Sequence, residues 1–372
     1  MAPEPGSQKR LPPWLAKAVM GLLVATAILG GAELYLRSVF GPPPPAVQVH
    51  SRAEFRGDWF QERNGQVFPN YQHHKVGVFS TRKTAPRFAV LGGSTVHGGT
   101  PNLNHRQEFS ALLGEKVRAK AVNLGNPSLD SHDLVKILER LRAYPMDAWV
   151  VYTGHNDFGN GYFLQRYRGW PGGLRAHGRS FLEGLQMFWQ LRKMTRLAVS
   201  HGAVPDPSRQ FAAPGIGPAQ KSHMLMDYLR NIRRIIWMAE QDAVPLVLVV
   251  PASSLLLPPL GACDDSSAMS LWEKGKAMKD AGEPGAAYVL RTARDADCIP
   301  LRMLGAAGKG LRGLPGSPVL RVIDAPAQLP AEPGLDVPAA SLFVDHVHLS
   351  AAGHRAMADL LAPGLAGVLA GP

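Results

Sequence analysis

Cysteine is nearly absent: 372 residues hold only Cys263 and Cys298. Two cysteines carry no pattern beyond being even in number, so no disulfide framework can be read from them. Acidic residues are scarce beside basic ones, 29 against 40, which leaves a formal net charge of +11. Such an excess suits nucleic acid, an anionic surface or an acidic substrate. Neither a zinc-finger spacing nor an aromatic-studded basic repeat is present, so nucleic acid is not the expected partner. Disorder is excluded as well, because 45% of the residues are hydrophobic and the length allows one substantial core or two modest ones.

Only one membrane-like run is present. Ala18 to Ala32 is uncharged and largely apolar, preceded by Lys9, Arg10 and Lys17 and followed by Glu33, Tyr35 and Arg37. The run is short against the roughly 20 residues a span needs, but Trp14, Leu15 and a snorkelling Lys17 lengthen it. The expectation is a single-pass transmembrane helix within residues 1–40, its basic flank cytoplasmic and the body extracytoplasmic, that is, periplasmic. The rival is a cleaved signal segment ending at Gly30-Gly31-Ala32, which makes the body a secreted protein. Either reading puts Cys263 and Cys298 in an oxidising compartment, where one local disulfide is expected and two unpaired thiols are the alternative.

Residues 41–84 read as a linker and lead-in segment, beginning with the stiff spacer Gly41-Pro42-Pro43-Pro44-Pro45. From residue 85 to 372 short apolar runs alternate with amphipathic stretches. Phe88–Leu91, Ala121–Leu124, Ala148–Tyr152, Pro245–Val250 and Val319–Ile323 read as buried strands. Glu108–Lys120, His132–Arg142, Met224–Gln241 and Ala351–Leu369 read as helices. The alternation predicts an α/β fold, a doubly wound, flavodoxin-like parallel sheet of about five strands with helices on both faces. Two insertions interrupt it. Residues 159–209 are rich in Arg and aromatics, a lid or substrate-facing element or else a solvated surface. Residues 252–316 hold both cysteines and an Ala-rich helical hairpin from Ser267 to Ala296.

In such a sheet, ligands gather beyond the C-terminal strand ends. The first strand ends in Gly92-Gly93-Ser94-Thr95-Val96-His97-Gly98, a turn that can expose a serine hydroxyl at a helix N-terminus or simply cap the helix. No Gly-Lys-Ser or Gly-Lys-Thr follows, so a nucleotide P-loop is not expected. The second strand ends at Gly125 and the third in Gly154-His155-Asn156-Asp157. Far downstream, Phe343-Val344-Asp345-His346-Val347-His348 places a carboxylate and an imidazole three residues apart before a helix.

Each piece alone is common; the ordered set resembles the four blocks of the SGNH/GDSL hydrolase superfamily. The nearest flavour is its membrane-anchored bacterial-type members with a Gly-Gly-Ser-Thr nucleophile block, matched here by Leu91–Gly98, Gly154–Asn156 and Phe343–His348. Gly93 departs from the Asp of the superfamily's Gly-Asp-Ser motif. The resemblance implies Ser94 as nucleophile, His348 as its base, Asp345 as the group orienting that base, and Gly125 and Asn156 with the Ser94 N–H as oxyanion donors. His346 alternates with His348 and should point away. No metal or cofactor is implied.

The expected activity is hydrolysis or transfer of O-acyl esters, acetyl foremost, on an extracytoplasmic carbohydrate or related substrate. Alternatives are a lipid or thioester hydrolase and a catalytically silent protein that binds an anionic polymer or serves assembly. The expected partners are the acyl-ester substrate and, through the N-terminal helix, the membrane.

Overall fold

The computed structural model describes residues 13–40, 59–71, 77–98, 104–163, 215–261 and 267–370. The chain divides into two units, Met1–Val47 with Gly173–Asp206, and Gln48–Gly172 with Pro207–Pro372.

In the first unit the apolar run folds into helix α1 (Pro13–Phe40). It does not meet the expectation of a membrane span: among the described residues no helix is long and apolar enough to cross a membrane. The uncharged stretch Ala18–Ala32 rises only about 22 Å at the α-helical pitch, against a hydrocarbon core of about 30 Å. Beyond it stand the charged Glu33 and Arg37, with Arg37 Nε donating to Glu33 Oε1 at 2.7 Å. The single-pass, periplasmic placement is therefore corrected.

The second unit opens with three short antiparallel strands, β1 (Phe60–Arg63), β2 (Gln66–Pro69) and β3 (Phe79–Ser80), within the stretch expected to be linker. Asn64 and Gly65 join the first two at φ 51° and 72°, the left-handed pair that a two-residue hairpin turn requires. Tyr71, following β2, donates its hydroxyl to Leu124 O at 3.2 Å, so this small sheet braces a loop of the main one.

Five apolar runs then form the main sheet: β4 (Arg87–Gly92), β5 (Lys120–Asn123), β6 (Ala148–Tyr152), β7 (Leu246–Val250) and β8 (Leu320–Asp324). All neighbours are parallel, in the order β5-β4-β6-β7-β8. This is the doubly wound order in which the chain reverses direction across β4 and β6. Side chains alternate between faces as the pleat demands. Ala89, Leu91, Trp149, Val151, Leu246 and Leu248 pack on one face with α4 (Ser131–Leu141) and α6 (Pro218–Gln241). Phe88, Val90, Val150, Tyr152, Val247 and Val249 pack on the other with α3 (Phe109–Val117) and α11 (Ala351–Leu369). Helices on both faces make the core an α/β fold.

Helix starts follow local chemistry. Asp130 caps α4 by accepting the His132 N–H at 2.9 Å, and Ser350 caps α11 through Gly353 N–H at 3.2 Å. Between β6 and α6, α5 (His155–Phe163) is described; most of the 159–209 insertion lies outside the described residues. The 252–316 insertion contains the expected helical hairpin, α7 (Ser267–Asp280) and α8 (Ala286–Ala296), then α9 (Gly305–Arg312), and the short α10 (Ala325–Gln328) follows β8.

Candidate active site

At the end of β4 two glycines let neighbouring chains approach. A Cβ on Gly92 would fall 2.2 Å from Tyr152 O, and one on Gly93 would fall 2.2 Å from Asn156 Nδ2 and 3.2 Å from Leu129 O. The chain then turns into the four-residue helix α2 (Ser94–His97), which closes at Gly98 with φ 84° and the Gly98 N–H on Ser94 O. Ser94 is thus the first residue of a helix, where backbone N–H groups have no intrahelical acceptor.

The closing loop brings its base to this point. Val344 N–H bonds His348 O at 2.9 Å, and a bridge pairs Phe343 with Leu349, folding residues 343–349 into a tight turn. Inside it Asp345 Oδ1 accepts the Val347 and His348 backbone N–H groups at 2.9 and 2.8 Å. Its Oδ2 accepts His348 Nδ1–H at 2.6 Å, and His348 Nε2 lies 2.7 Å from Ser94 Oγ. With Nδ1–H committed to a carboxylate, Nε2 is left as the acceptor for the serine hydroxyl. Thr95 Oγ1 also donates to Val347 O at 3.3 Å, tying the two segments together. Partial burial pushes the Asp345 carboxyl up, but bonds from the His348 side chain and the His348 and Val347 backbone outweigh it and hold the carboxyl well below the usual range.

The remaining expected residues divide. Asn156, in the first turn of α5, donates one amide hydrogen to Leu129 O at 2.8 Å and sits against Gly93, adjacent to Ser94. Gly125 does not offer its N–H to the site: that N–H donates to Asn123 Oδ1 at 2.9 Å. A Cβ on Gly125 would lie 2.5 Å from His97 N, so this glycine packs behind α2. The expectation of Gly125 as an oxyanion donor is corrected on that ground. Further along this loop, the Leu129 carbonyl lies beside Gly93 and Asn156. Leu129 N–H bonds Asn126 O at 3.2 Å around Pro127 and a Ser128 with φ 66°, the signature of a type II turn. Ser128 O accepts Asn160 Nδ2 at 3.1 Å, which fastens the turn to α5.

Several buried polar groups hold these loops in place. Asp157 accepts Ser131 N–H at 3.0 Å, the Ser131 hydroxyl, and Thr153 Oγ1 at 3.2 Å. It locks the start of α5, and so Asn156, to the start of α4. Arg302 and Asp297, both almost fully buried, clamp the loop after β7. Arg302 donates to Ser254 O and Leu257 O, while Asp297 accepts the Leu260, Gly261 and Ile299 N–H groups. Burial pushes the Arg302 guanidinium down to about 10 against the pull of Asp297.

His346 turns away from Ser94 and meets Pro258 O at 2.8 Å through Nε2. His155 is buried between Ala252 O and the Met303 N–H, and burial pushes it down to about 3. His354 accepts the Phe109 N–H at 3.1 Å, and burial, with the His348 charge, lowers it to about 4. Among the described residues no group of three or more His, Cys, Asp or Glu side chains could hold a metal ion. Cys298 is disulfide-bonded; Cys263, the only other cysteine, lies outside the described residues.

No protein-family model matches the chain and no curated protein does. The solved structures it resembles include lipolytic proteins of the G-D-S-L family and a GDSL-like lipase. A member of the lipolytic G-D-S-L family from Veillonella parvula DSM 2008 is 10% identical, with 75% of this chain and 97% of that one covered and a TM-score of 0.35. An acetyl xylan esterase is 12% identical, with 75% and 99% covered and a TM-score of 0.34. A salicylyl-acyltransferase from a tetracycline biosynthetic pathway is 12% identical, with 78% and 57% covered and a TM-score of 0.38. The neighbours thus include esterases, lipolytic proteins and an acyltransferase.

Proposed function

We propose that the chain is a serine-dependent esterase or acyltransferase that works through an acyl-enzyme on Ser94. The hydrogen-bonded line Ser94 Oγ, His348 Nε2, His348 Nδ1, Asp345 Oδ2 carries this reading. A serine hydroxyl is a weak nucleophile until a base takes its proton. As Ser94 Oγ bonds the ester carbonyl carbon, His348 Nε2 accepts the hydroxyl proton, and Asp345 stabilises the imidazolium and holds its orientation. The carbonyl oxygen becomes an oxyanion. Its donors are the Ser94 N–H and the second amide hydrogen of Asn156. Collapse expels the alcohol, which takes the proton from His348. Water or an acceptor hydroxyl then attacks the acyl group by the same steps in reverse.

An O-acyl ester on carbohydrate is the substrate class this reading names. Asp345 and His348 keep 47% and 31% of their side-chain surface exposed, so a hydrophilic, bulky ester can reach them from solvent. The net charge of +11 favours an anionic polymer. The test is intact mass after treatment with a fluorophosphonate, followed by acetate release from acetylated polysaccharides. An adduct on wild type that Ser94→Ala and His348→Ala both lack supports the enzyme. A folded wild type without an adduct turns the reading to a binding protein.

A further inference from the structure

Behind the nucleophile turn lies a buried carboxyl that the acyl-transfer steps leave unused. Glu108 is 1% exposed and stands at the N-cap of α3. Gly98 packs directly on it, so that a Cβ there would fall 2.2 Å from Glu108 Cδ. Oε1 accepts His105 Nδ1–H at 2.7 Å and Oε2 accepts Asn123 Nδ2 at 3.1 Å. Asn123 Nδ2 is also within reach of Val96 O at 2.8 Å and Ser110 Oγ at 3.1 Å, and Asn123 Oδ1 holds the Gly125 N–H. The His105 side chain is 53% exposed. A line of hydrogen bonds therefore runs from solvent, through His105, Glu108 and Asn123, to the carbonyl of Val96 in the helix that begins with Ser94.

We propose that Glu108 is a positioning residue, coupled to solvent through His105, which fixes the Ser94 helix by way of Asn123. The proposal rests on Ser94 being the nucleophile. Ionised, the Glu108 carboxylate offers two acceptor oxygens, and both are used by donors. Protonated, one oxygen becomes an O–H that neither the His105 nor the Asn123 donor can meet, so one link of the line opens. The helix is only four residues long, and its close packing on Gly125 and Gly98 passes such a change to Ser94. Burial raises the Glu108 pKa, with the His105 and Asn123 bonds opposing it, so the link opens above the usual carboxylate range. The other titratable groups that face this region are His97 on α2, whose ring meets His105 edge-on at 6.5 Å, and His354 on α11, which holds the neighbouring Phe109 N–H. Asn123 and Ser110 contribute only neutral groups.

The experiment uses the full chain and the rate of fluorophosphonate adduct formation, read by intact mass between about pH 4 and about pH 8. Wild type should show an acid step that belongs to Glu108. Glu108→Gln should label about tenfold more slowly near neutrality, because its amide N–H₂ faces a donor where the carboxylate offered an acceptor, and should lose that step. His105→Ala, at an exposed position, should shift the step without unfolding the chain. Glu108→Gln combined with Asn123→Ala should be no slower than the slower single variant, as expected for one connected line. In parallel, the Gly125 amide resonance should titrate with the same midpoint in wild type and not in Glu108→Gln. Wild-type rate and profile in Glu108→Gln, or a Gly125 amide indifferent to pH, would overturn the proposal. A wild type that forms no adduct refutes the nucleophile assignment instead, and the amide titration then decides whether the relay exists.

Discussion

Gly93→Ala is the sharpest test of how the site is assembled. Gly93 has φ −82° and ψ −151°, extended backbone that alanine adopts without strain. The added methyl would meet Asn156 Nδ2 at 2.2 Å. Ordinary contact needs about 3.5 Å, so the amide must withdraw by roughly 1.3 Å. That movement is cheap for the fold, since the obstructing atom is the end of a side chain; its main cost is the bond to Leu129 O, about 1 kcal/mol. It is expensive for chemistry if Asn156 stabilises the oxyanion. Losing one such donor costs about 3 kcal/mol of transition-state stabilisation, a fall of about 100-fold or more in kcat. Turnover of p-nitrophenyl acetate, set beside a thermal melt, separates the two effects. The expected pattern is a Tm within a few degrees of wild type and a collapsed kcat. A Gly93→Ala variant with wild-type kcat would refute the role given to Asn156.

Other outcomes follow from the same geometry. Asp345→Asn keeps an acceptor for the Val347 and His348 N–H groups but loses the carboxylate on His348 Nδ1, so kcat should drop by about 10⁴-fold with little change in Tm. His155 has a folded pKa pushed down to about 3 from an ordinary 6.5. Below pH 6.5 the unfolded chain therefore binds a proton that the folded chain refuses, and stability is lost as pH falls through that window. Between pH 7 and pH 5 this one ring accounts for about 2 kcal/mol. His155→Gln should flatten the pH dependence of urea unfolding by that amount, and an unchanged slope would count against a neutral, buried His155. Arg302→Ala leaves Asp297 buried without its cation and should cost about 3 kcal/mol of unfolding free energy, measured by denaturant titration at neutral pH.

The main sheet was legible in the sequence because its strands are buried on both faces, which forces continuous apolar runs such as Leu246–Val250. Phe343–His348 was legible for a different reason: Asp and His three residues apart can close a turn on each other, and here they do. The small sheet was missed although Asn64-Gly65 is a hairpin signal, because its strands are only two to four residues long and β1 exposes Glu62 and Arg63. Gly125 was misplaced because a glycine after a strand signals close approach without saying to what; only the fold reveals that it backs onto His97. The turn Asn126-Pro127-Ser128-Leu129 carries turn residues, but nothing in them says that Leu129 O meets Asn156. Glu108 and Asn123 were beyond reading, since a buried charge or amide looks like a surface one until its partners are placed. The apolar run at Ala18–Ala32 gave a helix, as its residues favour, yet its length of uncharged chain falls short of a span.

The central claim is that Ser94 is an activated nucleophile served by His348 and Asp345. Intact-mass analysis of the protein after fluorophosphonate treatment, beside Ser94→Ala and His348→Ala, tests it most directly. The account predicts a single adduct on wild type, mapped to Ser94 and lost in both variants. A folded wild type without an adduct, or an adduct that persists in Ser94→Ala, would contradict it.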